Sequence, residues 1–260
     1  ISTGDTVAAL LPNVPAMLEC HFAIPMAGAI LNTINTRLDA KSIEFILKHG
    51  EAKAVLVDPE FSGVIRESLK NISPQKRPLL INCPDDEFIK SNPKNNEAIL
   101  DEIIKEGDIN SEIIWPENEW QACSLNYTSG TTGDPKGVVY HHRGAWLTAT
   151  SNQMVWEMKK HPTYLWTLPM FHCNGWCFPW AIAAVNGTNI CLRNVNATSI
   201  YNAIKSYRVD HLCGAPIVLS MIVNAEEVER QEFNHTVKVM TAGAPPPVST
   251  IKSIESIGFH

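Results

Sequence analysis

Eleven residues, Tyr127-Thr128-Ser129-Gly130-Thr131-Thr132-Gly133-Asp134-Pro135-Lys136-Gly137, carry four aliphatic hydroxyls, three glycines and one lysine. Glycines let the backbone turn tightly and bring its N–H groups close to a ligand without side-chain interference. The hydroxyls add donors, and Lys136 adds a positive charge. So many donors around one cation suit a polyphosphate. A plain surface turn explains the glycines but not the run of hydroxyls ending in Pro-Lys-Gly. Nor is the segment a Walker P-loop, which closes on Gly-Lys-Ser/Thr, because here Pro135 precedes Lys136 and Gly137 follows it.

Two further segments hold chemistry-bearing residues. Leu168-Pro169-Met170-Phe171-His172-Cys173-Asn174-Gly175-Trp176 sets one histidine among aromatic and small residues, and taken alone it reads as a histidine of the core. Thr241-Ala242-Gly243-Ala244-Pro245-Pro246 reads alone as a turn stopped by prolines. His172, Cys173 and Cys177 could in principle ligate a metal. Structural zinc sites use closely spaced pairs that recur, however, and no second pair follows, so no metal is expected within the chain.

The elements that must position these groups alternate in type. Val7 to Leu11 reads as a strand, followed by an apolar helix across Pro15 to Ile30. Ala40 to His49 reads as an amphipathic helix with Ile43, Ile46 and Leu47 on one face and Gly50 as its stop. Ala54 to Val57 reads as a buried strand. From Pro84 to Glu119 the chain becomes rich in Asp, Glu, Asn and Lys, with one short helix at Ala98 to Ile104, which marks a surface excursion or a boundary between halves. A second series follows, with strands at Cys123–Tyr127, Tyr164–Leu168, Asn189–Leu192, His211–Cys213 and Val237–Met240. Its helices fall at Arg143–Met158, Ser199–Tyr207, Ile217–Asn224 and Pro247–Ile257. Such alternation argues for an α/β fold with mainly parallel pairing, divided at residues 1–120 and 121–260.

Composition narrows the class. With 45% hydrophobic and 18% charged residues over 260 positions, the chain is long enough to bury a sizeable core. A net charge of −6 argues against a general nucleic-acid binder. No window is apolar enough for a membrane span; Pro169 to Val185 comes nearest and is broken by His172, Asn174 and two prolines. Seven cysteines without a Cys-x-x-Cys pair suggest a reducing compartment rather than a disulfide framework; an intracellular place, cytosol or peroxisome, is expected.

Position by position, the segment from Tyr127 to Gly137 resembles the phosphate-binding signature of the adenylate-forming superfamily, which includes acyl-CoA synthetases, luciferases and peptide-synthetase adenylation domains. Leu168 to Trp176 and Thr241 to Pro246 resemble the family's next two motifs, in family order. Gly4-Asp5-Thr6-Val7, Leu11-Pro12-Asn13, Pro25-Met26-Ala27-Gly28-Ala29 and Asn32-Thr33-Ile34-Asn35 extend the resemblance over essentially the whole chain. The His172-Cys173-Asn174-Gly175-Trp176 run is most similar to plant-type acyl-activating enzymes.

The resemblance implies part of a large N-terminal domain with two mainly parallel sheets flanked by helices. It implies ATP-dependent activation of a fatty or aromatic acid through an acyl-adenylate to its CoA thioester, with Mg²⁺ as cofactor and ATP, CoA and a carboxylic acid as small-molecule partners. Thr128, Ser129, Gly130, Thr131, Thr132, Gly133 and Lys136 would hold phosphates, and His172 would stand at the reacting carboxylate. Gly243, Ala244 and Pro245 would meet adenine and the acyl group, with Asn174, Trp176 and Phe178 as pocket wall. The family's Tyr-Gly-x-Thr-Glu segment, its ribose-binding aspartate and its C-terminal domain with a catalytic lysine do not occur in these residues. The chain also opens on Ile1 rather than Met, so truncation at both ends, and inactivity of this chain alone, are expected. Two other readings stay open: adenylation for another acceptor such as a carrier-protein thiol, and a non-catalytic nucleotide-binding module.

Overall fold

The fold is visible in miniature between Asp39 and Val57. Asp39 caps a helix by accepting the Ser42 N–H at 2.8 Å, which satisfies one of the orphan amides of the first turn. The helix runs Ala40–His49, buries Ile43, Ile46 and Leu47, and ends at Gly50. The four buried residues Ala54–Val57 then enter a sheet. A computed structural model describes residues 1–85, 97–128 and 134–260 in this way.

The described residues form two compact units, Ile1–Thr148 with Phe171–Asn174, and Ala149–Met170 with Gly175–His260. In chain order the first unit contains β1 (Thr6–Leu10), α1 (Pro15–Met26), β2 (Ile30–Thr33), α2 (Ala40–His49), β3 (Ala54–Val57), α3 (Ser62–Leu69), β4 (Leu79–Asn82), β5 (Ala98–Ile99), α4 (Leu100–Glu106), β6 (Ala122–Tyr127) and β7 (Gly137–His141). The unit boundary falls inside α5 (His142–Val155). The sheet order is β5-β4-β3-β1-β2-β6-β7, parallel throughout except for the antiparallel β6–β7 hairpin. On one face Ala8, Leu10, Val55 and Val57 pack with Ile43, Ile46, Leu47 and Ile65 of α2 and α3 into an aliphatic cluster.

The second unit contains β8 (Thr163–Trp166), α6 (Cys173–Trp176, divided between the units), α7 (Phe178–Ala184), β9 (Thr188–Cys191), α8 (Ala197–Tyr207), β10 (His211–Gly214), α9 (Pro216–Val223), β11 (Lys238–Thr241) and α10 (Val248–Glu255). Its four strands are parallel in the order β11-β10-β8-β9. Leu165 and Leu212 face a core built from Ile200, Ile204, Leu219, Ile222 and Ile254 of α8, α9 and α10. The alternate strand positions carry Tyr164, Trp166, His211 and Cys213. Here Tyr164 stacks on Phe178 with centroids 5.3 Å apart, and Trp156 meets Phe178 edge-on at 5.4 Å. Burial pushes the pKa of the Tyr164 hydroxyl and the Cys213 thiol up.

The α/β architecture with two mainly parallel sheets is the one expected from the alternation and the resemblance. Several details differ. Helices α3 and α7 and strands β4 and β5 are unexpected, and the helix expected at Ala98 to Ile104 begins only at Leu100, because Ala98–Ile99 pair with β4 as strand β5. The first helix stops at Met26 rather than reaching Ile30, because Gly28 takes φ +72°. The Ala29 and Gly28 N–H groups donate back to the Ile24 and Pro25 carbonyls at 3.1 and 2.9 Å, a glycine-terminated helix end. Release of the chain there allows β2, an unexpected central strand. Strand β7, also unexpected, continues the first sheet beyond the phosphate motif. Where the composition change suggests a division at residue 120, the pairing of β6 with β2 and β7 carries the first unit on to Thr148.

No helix among the described residues is long and apolar enough to cross a membrane. None of the seven cysteines is disulfide-bonded.

Candidate functional site

The phosphate motif is the connection of the β6–β7 hairpin. Tyr127 and Gly137 are register partners, and just beyond them the Thr128 N–H donates to the Lys136 carbonyl at 3.0 Å. The Lys136 N–H donates in return to Thr128 Oγ1 at 3.2 Å. This pair of bonds pinches the two ends of the loop together while leaving the Lys136 side chain exposed, and among the described residues its ammonium joins no ion pair. Ser129, Gly130, Thr131, Thr132 and Gly133 lie outside the described residues.

The root of the loop is braced from below. The Tyr127 hydroxyl shares a 2.8 Å hydrogen bond with His49 Nδ1, and Phe45 meets the Tyr127 ring edge-on at 6.5 Å. Burial pushes the pKa of the Tyr127 hydroxyl up. Gly50 makes room for this contact, since a Cβ there would stand 3.2 Å from the Tyr127 hydroxyl and 3.0 Å from the Ile46 carbonyl. Neither His49 nor Phe45 carries any local sequence signal for this role.

The histidine segment reaches the same unit. Thr33 Oγ1, at the end of β2, lies 2.9 Å from the Phe171 carbonyl oxygen and 3.0 Å from Asn126 Oδ1. His172 and Cys173 are exposed, and Asn174 is fully buried with both amide atoms lacking a hydrogen-bond partner among the described residues. A buried amide without partners costs about 1–3 kcal/mol per orphaned group, which a folded chain tolerates chiefly where another group is meant to arrive.

The backbone at this point winds left-handed. Cys173, Asn174, Gly175, Trp176 and Cys177 have φ of +44°, +42°, +50°, +53° and +63°. For residues with a Cβ this conformation costs on the order of 1–2 kcal/mol each. Within the second unit the turn is held by Asn152 Nδ2, which donates to the Trp176 carbonyl at 2.8 Å. Gly175 sits against Trp166, where a Cβ would come within 2.7 Å of the indole ring. Trp176 is half-buried. Phe178 is wholly buried, its ring enclosed between Tyr164 and Trp156 in the aromatic cluster.

The third motif leaves the end of β11. Gly243, at φ +92°, has no atom of the described residues beyond its chain neighbours within 4 Å of where a Cβ would stand, and Gly243, Ala244 and Pro245 are all exposed. Small residues there leave a flat stretch of main chain open to a ring. Thr128, Thr33 and Gly243 all lie at or just beyond the carboxyl ends of strands β6, β2 and β11, where open α/β sheets place their ligands.

Among the described residues no group of three His, Cys, Asp or Glu side chains converges, and no chemical step below is routed through Mg²⁺.

The family model for AMP-binding enzymes matches residues 1–260. Over 270 residues the chain is 46% identical to the peroxisomal acetate/butyrate–CoA ligase AAE7 of Arabidopsis thaliana, covering 100% of this chain and 48% of that protein. It is likewise 46% identical over 275 residues to the peroxisomal trans-cinnamate:CoA ligase of Petunia hybrida, again covering 100% and 48%. The chain thus spans about half the length of the curated relatives it matches. Among solved structures, the inhibitor-bound N-terminal domain of FACL13 from Mycobacterium tuberculosis superposes with a TM-score of 0.86 at 25% identity, covering 100% of this chain and 62% of that one.

Proposed function

This chain belongs to the AMP-binding enzyme family, and we propose that the protein it comes from joins a carboxylic acid to CoA through an acyl-adenylate. The acid's carboxylate attacks the α-phosphorus of ATP and expels pyrophosphate. The CoA thiol then attacks the acyl carbon and expels AMP. Little covalent chemistry falls to the protein in the first step, so its work is positioning and charge neutralisation.

The observation that supports this reading is the pinched hairpin, with the Thr128 N–H on the Lys136 carbonyl, the Lys136 N–H on the Thr128 hydroxyl, and the exposed Lys136 ammonium in no ion pair among the described residues. Lys136 and the hydroxyls of Thr128, Ser129, Thr131 and Thr132 hold the β- and γ-phosphates, with the N–H groups of Gly130 and Gly133. His172 stands at the carboxylate, and Gly243, Ala244 and Pro245 offer their main chain to adenine and the acyl group. Asn174 supplies a polar contact at the acyl end, and Trp176 the apolar wall. Phe178, enclosed by Tyr164 and Trp156, shapes that wall from behind. Mg²⁺ would be held by residues other than these. A short aliphatic or an aromatic acid suits the names of the two relatives, and their peroxisomal designation supports an intracellular setting, cytosol or peroxisome.

The test is carboxylate-dependent ATP–pyrophosphate exchange by the full-length protein, across aliphatic acids of graded length and cinnamate-type acids. Exchange confined to one window of acids names the substrate class. ATP binding without exchange for any acid moves the assignment to a nucleotide-binding module.

A further inference from the structure

We propose that Thr33 is a positioning residue that joins the root of the phosphate loop to the histidine segment through its single hydroxyl proton. The proposal rests on the reading of Thr128, Lys136 and His172 as ligand-facing groups and adds a mechanical link between them.

The link begins where a backbone ladder runs out. β1 and β2 pair over four registered residues, whereas β2 and β6 pair over two, Leu31 with Ser124 and Asn32 with Leu125. Side chains reinforce those same two pairs. Ser124 Oγ donates to the Leu31 carbonyl at 3.0 Å, and Asn32 Nδ2 donates to the Leu125 carbonyl at 2.9 Å. One residue further on, Thr33 stands beside Asn126, and at this point a third partner enters, the Phe171 carbonyl. Residues 93 and 138 positions away from Thr33 are therefore held by one hydroxyl.

Proton counting gives the link a direction. A threonine hydroxyl has one proton and two lone pairs, so it cannot donate to Asn126 Oδ1 and to the Phe171 carbonyl together. The Asn126 amide is interchangeable end for end by a half-turn about its last torsion. With its NH₂ turned toward Thr33, each group has a role: Asn126 donates to Thr33, and Thr33 donates to the Phe171 carbonyl. Thr33 and Asn126 are 4% and 7% exposed, so water does not readily substitute for either bond. Asn126 lies two residues before Thr128, and Phe171 directly precedes His172. A ligand that moves the loop root therefore moves the carbonyl on which the His172 backbone hangs.

The experiment uses the full-length protein with Thr33→Val, which keeps the branched shape and removes the proton, and Thr33→Ser, which restores the proton on a smaller side chain. Amide hydrogen exchange is followed in peptides spanning 124–128 and 168–174. Thr33→Val is expected to speed exchange in both segments together, while Thr33→Ser stays close to the unsubstituted protein. In the pyrophosphate-exchange assay Thr33→Val lowers kcat between about tenfold and a hundredfold, the range for small misplacements of reacting groups. KM for ATP shifts less than kcat does, and Thr33→Ser recovers most of the loss. Faster amide exchange in one segment only, or in neither, overturns the link, as does a Ser variant that behaves like the Val variant. If Thr33→Val fails to fold, Thr33→Ala removes the proton without placing a methyl group against the Phe171 carbonyl, and the same two segments are compared. Should the unsubstituted protein activate no acid, the functional reading falls, and the hydrogen-exchange comparison still decides the role of Thr33.

Discussion

The first unit holds two regions of opposite character. On the α2–α3 face of its sheet, Ala8, Leu10, Val55, Val57, Ile43, Ile46 and Ile65 form an aliphatic cluster. Toward the carboxyl ends of β2 and β6, Asn32 Oδ1, one amide atom of Asn126 and, in the histidine segment, both amide atoms of Asn174 are buried without partners among the described residues. The first region contributes stability through apolar burial, at roughly 25 cal/mol per Å² removed from water. The second sacrifices some of it, since orphaned polar groups and a left-handed backbone both cost free energy. Strain and unsatisfied polarity gather at sites that must accept a ligand, and the aliphatic face is what lets the chain tolerate them.

Substitutions can break this contrast from either side. The largest effect belongs to the aliphatic face. Ile46→Ala, at a residue 1% exposed, lowers the unfolding free energy by about 2–5 kcal/mol. Denaturant melts should show that loss while kcat per folded molecule stays unchanged. Lys136→Ala inverts the pattern. Its side chain is exposed and joins no ion pair among the described residues, so the melt stays in place while pyrophosphate exchange falls about 100-fold.

Gly175→Ala strikes both properties at once. A Cβ at φ +50° and 2.7 Å from the Trp166 ring costs about 1–3 kcal/mol and displaces the turn that follows His172. Thermal melts and acid KM should move together in this variant. The smallest effect tests the scaffold again. The Ser42 backbone N–H bonded to Asp39 holds its carboxyl pKa below the ordinary range. That contribution is present above the unfolded value of about 3.9 and disappears as pH falls through the lower folded value. Asp39→Asn keeps the cap and removes this pH dependence, which melts between pH 5 and pH 2 would display, at about the span where such a carboxyl titrates.

Legibility in the sequence followed the same division. Helix α2 and strand β3 were readable end for end, because a 3.6-residue apolar period and an unbroken buried run are local signals. β2 was not, since its first two residues, Ile30 and Leu31, continue the apolar texture of α1 and the conformation of Gly28 is what separates them. β7 was hidden behind the motif it follows. The Tyr127–Gly137 segment, His172 and the Gly243 turn stood out by residue type and by resemblance, and the described ends of that segment, Thr128 and Lys136, do meet.

The support beneath those motifs was not legible. His49 under Tyr127 and Thr33 between Asn126 and Phe171 act across 78, 93 and 138 residues of chain, and no spacing rule reaches that far. Five successive residues in the left-handed region were equally invisible, because only Asn174 and Gly175 among them favour it by type. Nor could the sequence show that Phe178, expected at the pocket wall, has its ring enclosed by Tyr164 and Trp156.

The central claim, acid activation at the phosphate hairpin, is tested most directly by trapping the intermediate. Full-length protein is mixed with ATP, Mg²⁺, a carboxylic acid and hydroxylamine in the absence of CoA. Acyl hydroxamate is then measured for aliphatic and cinnamate-type acids, with Lys136→Ala in parallel. The account predicts hydroxamate for at least one class of acid, dependent on ATP and strongly reduced by Lys136→Ala. No hydroxamate from any acid by a folded protein that binds ATP, or equal yield from the Lys136→Ala variant, would contradict it.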